Sequence, residues 1–170
     1  TAIQEAKNLT ETIRTLSHQD NVHKDKDRKE IDIRSMVDEA IRDQMSLLIP
    51  QGIKIEVEGE GWALTDHMLF SSILRQILSN AAKYAPRSTV RFSISPHFLT
   101  IEDNGPGIPS HEIKRVTEKG YVGERWKDKN GSGMGLYIVN ELSKELSISF
   151  SIESEEGVYT RFLFSFPELF

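Results

Sequence analysis

Four stretches of the chain, residues 34–48, 66–85, 110–117 and 134–146, carry apolar side chains at helical spacing. Between and around them fall short runs with β-like patterning: EIDI, IKIEVE, TVRFSIS, FLTIEDN, SISFSIES and VYTRFLFSF. The clearest helical pattern lies in residues 66–86. There Phe70, Ile73, Leu74, Ile77, Leu78 and Ala81 share one broad apolar face, and Gln76, Asn80 and Lys83 cluster beside it. The last two β-like runs meet through ESEEGV and predict a hairpin, so the sheet should be mixed rather than all parallel. Together these patterns predict an α/β sandwich.

Residues 1–20 differ in kind. Ala2, Ala6, Leu9, Ile13 and Leu16 alternate steps of four and three, the seam of a packed helix pair or coiled coil. No capping signal precedes them at Thr1, which is expected where a longer helix has been cut. Residues 21–30, NVHKDKDRKE, are polar and charged without an apolar period and read as a linker. The expected organisation is a truncated helix over residues 1–20, the linker, and one domain over residues 31–170.

Composition narrows the function. At 170 residues the chain holds one good core, and a net charge of -5 supplies no basic field for nucleic acid. With no cysteine, disulfides, thiolate metal sites and cysteine nucleophiles are all excluded, and a reducing compartment such as the cytosol is the expectation. No run approaches the roughly 18 apolar residues of a membrane span.

Three segments carry candidate chemistry. In GSGMGLYIVNELSKEL, residues 131–146, Gly131, Gly133 and Gly135 strip side chains from the entrance of a helix. The first N–H groups of a helix lack internal partners and carry the positive end of its dipole, so a cleared entrance suits an anion. A flexible loop before a core helix would look the same, and this segment alone leaves the two readings even. IEDNGPGIP, residues 101–109, ends an apolar run in Asp103, Asn104, Gly105, Pro106 and Gly107. A plain turn is the simple reading; yet a carboxylate at the mouth of a strand can also accept a hydrogen bond from an amine, such as that of adenine. In the third segment, the amide of Asn80 and the ammonium of Lys83 lie about one turn apart. A solvated helix flank explains them, and so does a magnesium ion beside a phosphate.

Taken together and in this order, the three segments resemble the ATP-binding domain of the GHKL superfamily, which comprises gyrase, heat-shock chaperones, histidine kinases and MutL. SNAAKYAP is similar to the Asn-box, DNGPGI to the first glycine box and GSGMGL to the second. The resemblance covers residues 31–170 and implies a Bergerat-type fold: a two-layer α/β sandwich whose mixed, mainly antiparallel sheet is covered on one face by helices. It implies Asn80 on magnesium, Lys83 near phosphate, Tyr84 beside the nucleotide and Asp103 on the adenine amine. Gly105, Gly107 and Ile108 would shape the pocket floor. Gly131, Ser132, Gly133, Met134, Gly135 and Leu136 would bring backbone amides to the phosphates. Residues 1–20 resemble the end of a histidine-kinase dimerisation hairpin. The implied protein is a bacterial sensor histidine kinase, membrane-anchored with this domain in the cytoplasm, using ATP and Mg2+. It would act as a homodimer with a response regulator as partner, and the fragment itself would be a monomer or weak dimer.

Departures from the superfamily pattern refine this picture. Gln76 stands where hydrolytic members carry a glutamate base, and a neutral amide cannot take a proton from water. Thr117 and Gly120 replace two phenylalanines common in kinase lids, and EKGYVGE together with Gln76 is similar to the intramembrane-sensing kinases of Gram-positive bacteria. The presumed lid, residues 110–130, carries six cations against four anions, a balance of +2 in an acidic chain. Lys119 and Arg125 are the candidates to meet the γ-phosphate. His18 is not taken as the phosphoacceptor, because Gln19 and a linker follow it where the family has an acidic and a basic residue. His23, His67, His97 and His111 are isolated and read as surface residues. The fragment should therefore bind ATP without labelling itself. The competing expectation is an ATP-dependent binding or regulatory module, either a degenerate kinase or an anti-sigma-factor-type serine kinase.

Overall fold

The computed structural model describes residues 28–123 and 133–168. The helix expected over residues 1–20, most of the linker, Arg125, Gly131 and Ser132 lie outside the described residues. Strand β1 (Lys29–Asp32) pairs antiparallel with β3 (Trp62–Thr65) as a small separate sheet. The main sheet has the order β2 (Lys54–Gly59), β4 (Thr89–Ser95), β5 (Phe98–Asp103), β7 (Tyr159–Ser165) and β6 (Ser149–Glu155). Only β2 with β4 is parallel; the other three pairings are antiparallel, so the sheet is mixed and β6–β7 form the expected hairpin. Helices α1 (Ile33–Leu48), α2 (His67–Tyr84) and α3 (Gly135–Glu145) cover one face.

The helices begin where their sequences say they should. Asp32 caps α1 by accepting from the Arg34 and Ser35 amides at 3.0 and 3.4 Å, and Asp66 caps α2 by accepting from Leu69 N–H at 2.9 Å. The third helix has no side-chain cap; Met134 stands at its N-cap position. At its other end Arg28 donates from its guanidinium to the Glu145 carbonyl at 2.9 Å, placing a cation on the negative pole of the helix.

Register explains how the sheet sorts its side chains. Val57, Phe92, Ile101, Phe162 and Ile152 align across the five strands, and Ile94, Leu99, Phe164 and Phe150 form the next rung toward the same helices. Phe70 of α2 is fully buried against this surface, with Phe164 and Phe166 at ring-centroid distances of 5.8 and 4.9 Å in edge-on contact. One step further along the strands the rung changes character: Val90 is followed by Asp103, Thr160 and Ser154. A polar row at that end of an otherwise apolar face marks where the core stops and the cavity begins. On the opposite face the aligned residues are Glu56, Arg91, Glu102, Arg161 and Glu153, an alternating ladder of charge with ion pairs of 2.6–3.0 Å.

Three local expectations change. Residues 110–117 form a chain of hydrogen-bonded turns rather than a helix, with Glu112 N–H bonded to Pro109 O and Arg115 N–H to Glu112 O. Ile113 and Val116 are too few apolar anchors to hold a helix against the core. A strand absent from the sequence reading, β3, forms over Trp62–Thr65, and the expected linker ends early because β1 begins at Lys29. His67 and His111 are exposed as expected; His97 is half-buried in the β4–β5 turn, where its φ is +65°.

Candidate functional site

The polar end of the inner sheet face opens into a cavity of about 630 Å³. Its walls come from every segment singled out by sequence. Helix α2 contributes Gln76, Asn80, Lys83 and Tyr84; the end of β5 and its loop contribute Asp103, Gly107 and Ile108; the start of α3 contributes Gly133, Gly135 and Leu136. Gln76, Asn80 and Lys83 reach it because steps of four and three keep them beside the buried stripe of α2. Lys83 is the one cation on the wall among the described residues.

Asp103 is the electrostatic centre of the floor. It is only 7% exposed, and burial pushes its carboxyl from 3.8 up to about 6, with nearby Glu102 adding to the rise. The Gly105 N–H donates to Asp103 Oδ1 at 2.9 Å and pulls the other way. With only this one donor, a carboxylate in so dry a place stays costly until a second donor meets it, which is the property expected of a ligand-binding group. The phenol of Tyr84 is also shifted upward by burial.

Glycine at two positions serves close packing. Gly107 has φ +69°, and a Cβ there would sit 2.3 Å from the Glu155 carbonyl oxygen. The DNGPGI loop therefore lies directly on the β6–β7 hairpin. Gly157 N–H donates to Pro106 O at 2.7 Å and Ile108 N–H to Ser154 Oγ at 2.7 Å, fixing that contact. Gly133 has φ +67°, and its Cβ would meet the Gly120 carbonyl carbon at 2.4 Å and Tyr121 O at 2.6 Å. Its immediate neighbour is the lid backbone, not open space.

Some predicted residues stand off the cavity wall. Gly105 lies behind it, where a Cβ would strike Ala85 Cβ at 2.5 Å; Met134 is buried, and Lys119 is exposed on the lid turn. Other residues join the wall without having been singled out as site residues. Thr160 lines the floor next to Asp103, Glu112 is buried in the lid wall, and Leu47, Val116 and Val122 add apolar surface. Thr160 reads in sequence as an ordinary strand residue, and only its pairing with Asp103 across β5 and β7 reveals it.

For a divalent cation the wall offers the Asn80 amide oxygen, a hard donor beside space for water and phosphate oxygens, which fits magnesium better than a softer metal. Among the described residues no group of three or more histidine and acidic side chains forms a metal cage. Nor is any helix among them long and apolar enough to cross a membrane.

Comparison with known proteins finds relatives both in sequence and in fold. The sensor protein BceS of Halalkalibacterium halodurans is 31% identical over 146 residues, which are 82% of this chain and 44% of BceS. The sensor histidine kinase GraS of Staphylococcus epidermidis is 34% identical over 122 residues, 69% of this chain and 35% of GraS. The chain thus spans less than half the length of these curated relatives. In fold it is similar to the mycobacterial sensor histidine kinase MprB, with a TM-score of 0.68 and 21% identity over 83% of this chain and all of that one. The catalytic domain of the histidine kinase ThkA gives a TM-score of 0.67 at 16% identity, covering 82% of this chain and 96% of that one. Residues 65–169 match the HATPase_c family, and the chain belongs to these histidine kinase-, DNA gyrase B- and HSP90-like ATPases.

Proposed function

We propose that this chain is the ATP-binding catalytic segment of a two-component sensor histidine kinase. Its whole protein would move the γ-phosphoryl group of ATP to a histidine on a dimerisation helix, for relay to a response-regulator aspartate. The observation that carries this reading is convergence: Asn80 and Lys83, Asp103, and the entrance of α3 from Gly133 to Leu136 come from distant segments yet face one cavity. The relatives named sensor protein and sensor histidine kinase support it.

Each group has a task in this reading. Asp103, with one oxygen engaged by Gly105 N–H, accepts from the adenine amine through the other. Tyr84 and Ile108 flank the base. Lys83 and the uncapped first turn of α3 at Gly135 balance the phosphate charge. Asn80 would hold magnesium, which when bound would add to the neutralisation of the phosphate oxygens. Gln76 lacks the basicity to take a proton from water, so transfer to an imidazole is favoured over hydrolysis. The bond from the γ-phosphorus to the bridging oxygen breaks, a phosphorus–nitrogen bond forms at the acceptor imidazole, and ADP leaves. Arg125 or Lys119 would meet the γ-phosphate as the lid closes. Residues 1–20 would be the tail of the dimerisation hairpin and the charged residues between it and β1 its linker, with the whole protein a membrane-anchored homodimer whose kinase segment faces the cytoplasm.

Phosphoryl transfer in trans tests the proposal. The chain, ATP and Mg2+ are mixed with a separately made hairpin bearing the acceptor histidine. Acid-labile phosphohistidine on the hairpin is the expected product. Acid-stable phosphoserine on a protein substrate would support a serine kinase instead. ATP binding without transfer to the hairpin would support a regulatory module, and labelling of the chain itself that is lost on His18→Ala would restore His18 as acceptor.

A further inference from the structure

The floor of the cavity contains a hydroxyl relay whose polarity can be deduced. Ser154 Oγ has one proton to give, and it donates to the Tyr159 carbonyl at 2.7 Å. The same oxygen accepts from Ile108 N–H at 2.7 Å and lies 3.3 Å from Thr160 Oγ1. With the Ser154 proton committed to the shorter contact, the Thr160 hydroxyl must be the donor to Ser154. All three hydrogen-bonding capacities of Ser154 are then filled.

This direction decides what Thr160 shows the cavity. Its proton points away toward Ser154, so its oxygen presents lone pairs on the wall it shares with Asp103, its partner across β5 and β7. Asp103 with its proton lost is also an acceptor. Two acceptors side by side suit an exocyclic amine, which offers two N–H donors. A 6-oxo purine would turn an acceptor toward the same pair and leave buried polar groups unmatched, the situation that discriminates most strongly between ligands.

We infer that Ser154 is a positioning residue for base selection: by fixing the Thr160 hydroxyl as an acceptor, it makes the floor specific for a 6-amino over a 6-oxo purine nucleotide. The inference rests on the adenine reading of the cavity proposed above. It goes beyond that reading by assigning selectivity to a residue that sits behind the wall rather than on it.

Affinities of the chain for ATP and for GTP, each with Mg2+, test it in the parent and in Ser154→Ala, Ser154→Thr and Thr160→Val, with a melting curve for each. Ser154→Ala should lower the ATP-to-GTP preference about tenfold, since the Thr160 proton is then free to turn toward the cavity. Ser154→Thr, which keeps the hydroxyl, should hold the preference within about twofold. Loss of packing alone would weaken both nucleotides together and leave the ratio intact, and an unchanged ratio in folded Ser154→Ala overturns the relay. Should Ser154→Ala fail to fold, Thr160→Val carries the test: it must also lose preference, and an unchanged ratio there overturns the relay too. A parent chain that binds both nucleotides equally, or neither, removes the adenine reading itself.

Discussion

The two glycine-rich segments end at the same cavity and are held there in different ways. DNGPGI is tied into the sheet: Asn104 accepts from Thr89 N–H at 2.7 Å, Pro106 and Ile108 bond to the β6–β7 hairpin, and Gly107 packs on Glu155. At the start of α3, Gly133 instead meets the lid turn, with Gly120 N–H donating to Gly133 O at 3.1 Å, and the helix behind it has no side-chain cap. The end of the cavity proposed for the base is thus built on the same ladder that makes the core. The end proposed for the phosphates is built on a helix terminus and a loop. Preorganisation belongs to the first and adjustment to the second, as expected if one end recognises a rigid ring and the other a flexible, charged chain.

Asp103 gives the largest test of the contrast. Asp103→Ala should weaken ATP binding about a hundredfold by titration, because the amine loses a charged acceptor in a dry site. Asp103→Asn should weaken binding as well while stabilising the free protein. The sign follows from the carboxyl being raised to about 6 from 3.8. The folded state holds the proton more tightly than the unfolded chain, so the parent loses stability as pH rises from about 4 through 6 and then levels. At pH 7 the asparagine variant should be more stable by about 3 kcal/mol, the free-energy equivalent of that shift, and the gap should close near pH 4 in denaturant titrations. An advantage that is the same at pH 4 and pH 7 would show that ionisation is not its source. Over the same range, ATP affinity of the parent should fall relative to Asp103→Asn as the pH drops below 6.

Alanine at each glycine separates the two ends further. Gly107→Ala must push against the Glu155 backbone with φ +69°, and should cost about 2–4 kcal/mol of stability, seen as a lower melting temperature. Gly133→Ala strikes the lid turn instead, and its main effect should be on nucleotide affinity, about tenfold, with a smaller change in melting. A reversed outcome, with Gly133→Ala the more destabilising, would mean that the lid turn belongs to the core.

How much of this was legible in sequence follows the same division. The helices over Ile33–Leu48, His67–Tyr84 and Gly135–Glu145 were readable because each buries a continuous stripe, and their apolar period survives whatever surrounds them. Short β3 was not: WALT offers only four residues, and Trp62 is 57% exposed where an apolar pattern suggests burial. Asp103 and Asn80 were visible as polar residues breaking apolar runs. Ser154 and Thr160 were not, since serine and threonine are ordinary in strands and their importance comes only from sharing a rung with Asp103. Register is set by the pairing of remote segments, and a single strand does not contain it.

The smallest effect concerns the far end of α3, whose entrance is the proposed phosphate wall. Arg28 donates to the Glu145 carbonyl at 2.9 Å and lies 3.4 Å from Ser147 Oγ, closing the helix opposite the cavity. If the phosphate end depends on the whole helix being held in place, Arg28→Ala should lower stability by about 0.5–1 kcal/mol, the range of a cation at a helix C-terminus. Arg28→Lys should recover part of the loss through charge alone, because the ammonium lacks the fixed Nη2 that donates to the Glu145 carbonyl. High salt should shrink the difference between the parent and Arg28→Ala if the helix dipole carries it, and leave the difference unchanged if it rests on the hydrogen bond. ATP affinity measured alongside shows whether the entrance of α3 feels its other end: an affinity that falls with stability makes the helix a single rigid element, whereas an unchanged one confines the fixing of the phosphate wall to the lid turn at Gly120 and Tyr121.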